Sequence, residues 1–361
     1  MLAITGVLLI MFGGLASGAF YLPLKYVKQW SWETGWMVQG ISAWILAPWI
    51  MAILTIPSLF SIISNSPSNS IWLPVMFGFG WGIGGLTWGL SIRYLGIGLG
   101  NALPLGLTSA LSTVISPLVP ILTGQVATTG SVWNAAGEKL ASMFSGTGGG
   151  YMLGSILLSL AGIGICGWAA SMKEKDLSSQ STRSDFNLKK GLLVAVVAGV
   201  MSACFSFGES TGKAMADLTA SLNPGTIWKY NGVYAVLLIG GFTFNAIYCL
   251  ILALKNKSWK DYFAKGTPLA RNYFYGLLAG AIWFTQFVFK GIGTTKIPAS
   301  LDFIAWTILF SSVIVFSNLI GLFTGEWKGT GLRTKLTLMT GLFLLILSVA
   351  LVGFASKSVG A

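Results

Sequence analysis

Residues Thr34 to Ile92 read TGWMVQGISAWILAPWIMAILTIPSLFSIISNSPSNSIWLPVMFGFGWGIGGLTWGLSI, without one Asp, Glu, Lys or Arg. A soluble fold cannot leave so long a run uncharged and still cover its surface, since an average soluble domain is about 25% charged. A helix that crosses lipid needs about 20 apolar residues, because the hydrocarbon core is about 30 Å thick and a helix rises about 1.5 Å per residue. The stretch holds two such runs, parted by the polar turn at Ser64-Asn-Ser-Pro-Ser-Asn-Ser70. Working outward, the pattern continues. After Arg93 the next charged residue is Glu138, and of all 361 residues 9% are charged and 54% hydrophobic. The class is integral membrane, all-α.

Apolar runs between charged or Pro/Gly/Ser-rich breaks predict ten spans, near 3–25, 34–56, 71–92, 97–122, 149–171, 190–212, 227–252, 271–291, 297–323 and 334–355. The Gly-rich segment 123–148 has room for a short interfacial helix. The first run carries no positive n-region, so it reads as a retained span rather than a cleaved signal. Lys and Arg collect in cytoplasmic loops. With the N-terminus outside, 16 of the 22 Lys and Arg fall on the cytoplasmic side and six on the other. Both termini are therefore expected in the periplasm. The formal charge of +12 follows from this bias, and no nucleic-acid partner is expected.

An internal repeat is visible. Gly14-Leu-Ala-Ser-Gly-Ala-Phe20 aligns with Gly199-Val-Met-Ser-Ala-Cys-Phe205, each leading to a lysine, Lys28 and Lys213. Gly80 to Gly96 aligns with Leu277 to Gly293, with Arg93 opposite Lys290. A five-helix unit repeated once is inverted in the membrane, because five is odd, and inverted repeats hold substrate near the midplane. The expected division is 1–171, a charged cytoplasmic linker 172–190, and 191–361. Pairs such as Gly80/Gly84 and Gly96/Gly100 have the small-xxx-small spacing that lets helices approach closely. Pro48, Pro74, Pro104 and Pro117 are placed to kink helices around a cavity.

Chemistry is limited by what is missing. The chain has no histidine, and Cys166, Cys204 and Cys249 have neither metal-ligand spacing nor a pairing pattern. No metal or cofactor is expected. Acids inside a membrane are functional candidates by default, and three come near that description. Asp302 lies about a turn inside the ninth span and reads as a proton-exchanging group or as a first-turn acid favoured by the helix dipole. Glu33 opens the second span behind Ser31, an N-cap candidate, with Lys25 or Lys28 as a partner in a cytoplasmic gate. Glu209 stands one turn before Lys213, so it reads as a proton group or as half of an i,i+4 ion pair. A small neutral sugar would be held by amides and hydroxyls around an aromatic face. Trp283 and Gln286 share one helical face, and Tyr21, Gln39, Asn101, Asn318 and Trp88 add polar or aromatic groups within spans. Lys25, Lys213, Arg93 and Lys290 are candidates for gating or charge pairing.

Phe20-Tyr-Leu-Pro-Leu-Lys25-Tyr-Val-Lys28-Gln-Trp-Ser-Trp-Glu33-Thr-Gly-Trp36 resembles the L-rhamnose–proton symporter family of the drug/metabolite transporter superfamily. Trp81-Gly-Ile-Gly84, Arg93-Tyr-Leu-Gly96, Phe186-Asn-Leu-Lys-Lys-Gly191, Trp283-x-x-Gln286 and Ile297-Pro-Ala-x-x-Asp302-x-Ile-x-Trp306 extend the likeness from the first span to the ninth. The resemblance implies ten helices in a bacterial inner membrane, inward symport of L-rhamnose with a proton, and family-pattern roles for Lys25, Glu33, Trp283, Gln286 and Asp302. Two departures stand out: Thr294-Thr295 occupies a place where the family can carry histidine, and Glu209 replaces an uncharged residue. The expected partners are a small neutral sugar, a proton and the bilayer, with the chain a monomer or a weak homodimer. The rival readings are an exporter of drugs or metabolites or an importer of another sugar and, from a different class, an integral membrane transferase. The last lacks any clustered nucleophile, base or metal ligand.

Overall fold

The computed structural model describes residues 2–95, 97–145, 148–177 and 187–359. Among them no residue lies in a strand, and ten helices are long and apolar enough to cross a membrane. They are span 1 (Ala3–Leu24), span 2 (Trp32–Thr55), span 3 (Asn69–Leu95), span 4 (Leu99–Leu122), span 5 (Gly149–Leu177), span 6 (Leu188–Leu222), span 7 (Asn231–Asn256), span 8 (Leu269–Thr294), span 9 (Asp302–Phe323) and span 10 (Leu332–Phe354). The ten predicted spans match these within a few residues, except at the end of the sixth. There the helix Leu188–Thr211 is followed, after Gly212, by a second helix Lys213–Leu222. Gly212 lies against the side chain of Val233, and a Cβ at this position would collide with it.

The Gly-rich segment between spans 4 and 5 contains a helix, Val132–Phe144. The middle of the charged linker (178–186), and Gly96 at the end of the Arg93-Tyr-Leu-Gly96 motif, lie outside the described residues. Alternation of the spans defines two faces. Connections after spans 1, 3, 5, 7 and 9 lie on one, here the Lys25 face; those after the even spans, including Val132–Phe144, lie on the other, the Lys139 face.

Span 1 packs on spans 8 and 9, and span 6 packs on spans 3 and 4; spans 5 and 10 pack on each other. Lipid tails are as apolar as Leu, so association depends on close packing rather than on hiding apolar surface from water. The tightest seam joins spans 3 and 7. Gly78 lies on the backbone of Leu237 and Gly240 on the backbone of Val75, with no space for a side chain at either glycine.

Span 2 departs from a regular helix. Residues Ile41–Leu46 form a π turn. Pro48 supplies the cause: it has no N–H, and its ring presses on the carbonyl four residues back, that of Trp44. A wider turn relieves that clash. The indole of Trp44 is then laid back onto Gly40, which has no room for a Cβ.

Candidate functional site

Spans 1 to 9 and the connection after span 9 surround a cavity of about 1020 Å³. Tyr21, Trp32, Lys173, Glu174, Glu326 and Trp327 line its mouth. All six stand at the Lys25-face ends of their elements, so the cavity opens on that face.

Its interior is aromatic. Trp44, from the π turn, stands edge-on to Trp81 and Trp283 at centroid distances of 5.8 and 6.3 Å. Trp81 and Trp283 are 5.6 Å apart. Deeper in, Phe205 stacks on Phe287 at 4.3 Å and meets Trp306 edge-on at 5.8 Å. These three rings form the floor. Small polar groups interrupt the wall. Asn101 accepts a hydrogen bond from Trp88 Nε1 at 2.8 Å, and Asn245 accepts one from Trp36 Nε1 at 3.1 Å. The Gln286 amide donates to the Trp283 carbonyl at 2.9 Å. Gln39 and Asn318 complete the amide set in the lining.

One helical turn behind the floor the character changes. Glu209 follows Phe205 by four residues and Lys290 follows Gln286 by four, which carries both toward the Lys139 face. Lys290 Nζ donates to both carboxylate oxygens of Glu209 at 2.7 Å, and the Tyr234 hydroxyl donates to Oε1 at 2.6 Å. The ammonium also sits over the Trp306 ring, 4.2 Å from its centroid. The two charged side chains are only 3% and 8% exposed. A buried carboxylate and ammonium are tolerable only with such pairing and added hydrogen bonds. Beyond them, burial pushes the Tyr230 phenol well above its usual pKa, and the Glu209, Asp302 and Asp217 carboxylates push it the same way.

The structure revises several sequence expectations. Glu209 does not pair with Lys213; Lys213 pairs with Asp217 at 3.3 Å on the exposed side of its helix. The break at Gly212 separates Lys213 from the helix that carries Glu209. Glu33 pairs with neither Lys25 nor Lys28. It accepts hydrogen bonds from Ser258 at 2.6 Å and Asn256 at 3.0 Å, because the turn after span 7 packs on the start of span 2. Lys25 instead reaches Glu326 at 3.1 Å. Ser31 makes no side-chain cap; its backbone N–H donates to Asp261, which also accepts from Thr34.

Asp302 lies in a 3₁₀ turn, Ala299–Ile304, ahead of the helix Ala305–Phe323, rather than a turn inside an α-helix. Pro298 disfavours a helical residue before it and so sets the start there. Its carboxylate makes no hydrogen bond to any described residue. Arg93 is exposed at the Lys25-face end of span 3 and does not line the cavity. Five expected sugar-facing residues, Gln286, Trp283, Tyr21, Gln39 and Asn101, line one cavity with Trp88 and Asn318. Trp44, Trp81, Trp306 and Asn245 were not expected. The Trp81-Gly-Ile-Gly84 motif and the Trp306 at the end of the Ile-Pro-Ala motif were the available signals for two of them.

A family model described as L-rhamnose-proton symport protein (RhaT) matches residues 2–358. The chain is 33% identical to the L-rhamnose-proton symporter of Yersinia pestis (strain Pestoides F) over 355 residues, 97% of each chain. It is 34% identical to that of Shigella sonnei (strain Ss046) over 352 residues, 96% of each. It is 31% identical to that of Citrobacter koseri (strain ATCC BAA-895 / CDC 4225-83 / SGSC4696) over 356 residues, 98% of each. With ten helices long and apolar enough to cross a membrane, nine of them around an open cavity, and a match that runs almost end to end, the chain belongs to the L-rhamnose-proton symporter family.

Proposed function

We propose that the chain imports L-rhamnose together with a proton, and that the aromatic cavity is its sugar site, open to the cytoplasm. The observation that carries this reading is the cavity itself. It reaches mid-depth, opens on one face, and is walled by indoles and amides with no charged side chain in its deep part. Sugar hydroxyls match amides, which both donate and accept, and the apolar faces of a deoxy sugar suit indole rings. The Lys25 face carries most of the Lys and Arg, which supports a cytoplasmic mouth and periplasmic termini in a bacterial inner membrane.

Two halves, 1–171 and 191–361, related by inversion, fit the neighbour pattern. Span 1 touches spans 8 and 9 as span 6 touches spans 3 and 4. Rocking of such halves gives alternating access. The Glu209–Lys290–Tyr234 cluster then closes the periplasmic side, and that side opens only when the cluster separates. A proton on Glu209 removes half of the ion pair, which ties opening to proton entry. Asp302, on the same side, is a second carboxylate within the electrostatic reach of Lys213 and Lys290, and the proton is carried by this group of acids. Glu33, held by two donors at the opposite rim, fits a structural role better than a carrier role.

Each proton moving inward gains about 2.3 kcal/mol per 100 mV, enough for tens-fold accumulation of sugar. Uptake of radiolabelled L-rhamnose into proteoliposomes tests the reading. It should rise with an inward proton gradient and collapse with an uncoupler. Folded protein that accumulates no rhamnose would refute the sugar assignment. In Asp302→Asn, uphill uptake should vanish while exchange of sugar across the membrane persists; full uphill uptake would remove Asp302 from coupling.

A further inference from the structure

Most polar side chains in the cavity wall are already engaged: Asn101 with Trp88, Asn245 with Trp36, Gln286 with the Trp283 carbonyl. Two are not. Gln39 is 1% exposed and Trp44 is 3% exposed, and both line the cavity. Gln39 Oε1 and Trp44 Nε1 are buried and have no hydrogen-bond partner among the described residues. Buried polar groups are normally satisfied, and an unsatisfied one calls for a cause.

The backbone supplies it. Residues five apart in an α-helix point about 140° from each other. The π turn Ile41–Leu46 takes in about one more residue per turn, which swings Trp44 back toward the side on which Gln39 stands. The six-membered ring of Trp44 rests on Gly40. Its N–H is on the other ring of the indole, and Trp44 stands edge-on to Trp81 and Trp283. The π turn thus leaves an unsatisfied acceptor and an unsatisfied donor on one helix, both on residues of the cavity wall.

We propose that Gln39 and Trp44 form a hydrogen-bonding pair that reads two hydroxyls of the transported sugar, the Gln39 amide oxygen accepting from one and the Trp44 indole N–H donating to another. The proposal rests on the sugar-site reading of the cavity and deepens it. Each hydroxyl can both donate and accept, so a polyol satisfies both groups. An apolar or cationic solute of the same size leaves at least one unmatched, and the pair therefore selects polyols over amphipathic drugs.

The test uses the full chain in lipid nanodiscs with ¹⁵N-labelled tryptophan indoles, Trp44 being identified by its loss in Trp44→Phe. L-rhamnose should move the Trp44 indole N–H signal. Wild-type protein should bind one monodeoxy analogue of rhamnose about tenfold more weakly than rhamnose, and Gln39→Met should bind the two alike. A Trp44 signal that stays still while rhamnose binds overturns the pair. So does rhamnose affinity within twofold of wild type in Gln39→Met. Equal wild-type affinity for rhamnose and all its monodeoxy forms overturns it without any substitution. If rhamnose is neither bound nor transported, the function reading falls, and the same titration is run with a panel of hexoses and pentoses. Movement of the Trp44 signal by any of them retains the pair; no movement overturns it.

Discussion

Two ion pairs stand at opposite ends of the cavity. Lys25–Glu326 spans 3.1 Å at the open mouth, with the two side chains 55% and 48% exposed. Lys290–Glu209 spans 2.7 Å behind the aromatic floor, with 3% and 8% exposure, a tyrosine donor and an indole face in contact. The functional groups are the same and the surroundings are not. At the mouth, water competes for both ions and salt screens them, so such a pair contributes about 0–1 kcal/mol. Behind the floor the two ions are bonded to each other out of reach of water, and losing one leaves the other buried without its hydrogen-bonded counter-ion. The closed end of the cavity is therefore a two-state element, made or broken, while the open end is free to rearrange.

Lys290→Ala gives the sharpest test of that contrast. It should lower stability by about 3–5 kcal/mol, read from unfolding of the protein in a fixed detergent. The double variant Glu209→Ala/Lys290→Ala should recover much of the loss, because no buried charge is left alone. Tyr234→Phe should cost less, about 1–2 kcal/mol, since it removes one donor to a charged acceptor and leaves the pair intact. Smallest of all, Lys25→Ala should cost no more than about 1 kcal/mol, and raised salt should shrink the difference from wild type. A cost at Lys25 equal to that at Lys290 would break the comparison outright.

The sequence revealed these features unequally. Span positions were legible because a hydrocarbon core demands long uninterrupted apolar runs, and charges such as Arg93, Lys255 and Lys328 mark where the runs end. The partners of the acids were not. Glu209 had a candidate lysine four residues away, yet its partner is Lys290, 81 residues distant. Only the packing of span 6 near span 8 decides that. Glu33 likewise looked free to pair with nearby lysines, but a turn from 223 to 225 positions later supplies its donors. The cavity fell between these cases. Gln39, Asn101, Trp283 and Gln286 stood out as polar or amphipathic residues in apolar runs. Trp44 did not, because its inward turn depends on the π register that Pro48 imposes.

The indoles of the cavity wall also form a chain. Trp32, Trp36, Trp44 and Trp81 follow one another at centroid distances of 5.3, 5.9 and 5.8 Å, and Trp283 closes on both Trp44 and Trp81. Chromophores this near one another pass excitation between them before they emit. The light emitted is then depolarised and comes from the group rather than from any one ring. Their coupled transitions also give the folded protein a near-ultraviolet circular dichroism that scattered tryptophans would lack. Movement of span 2 relative to span 8 separates members of this chain, so the transport cycle carries its own optical signal, readable without any attached label.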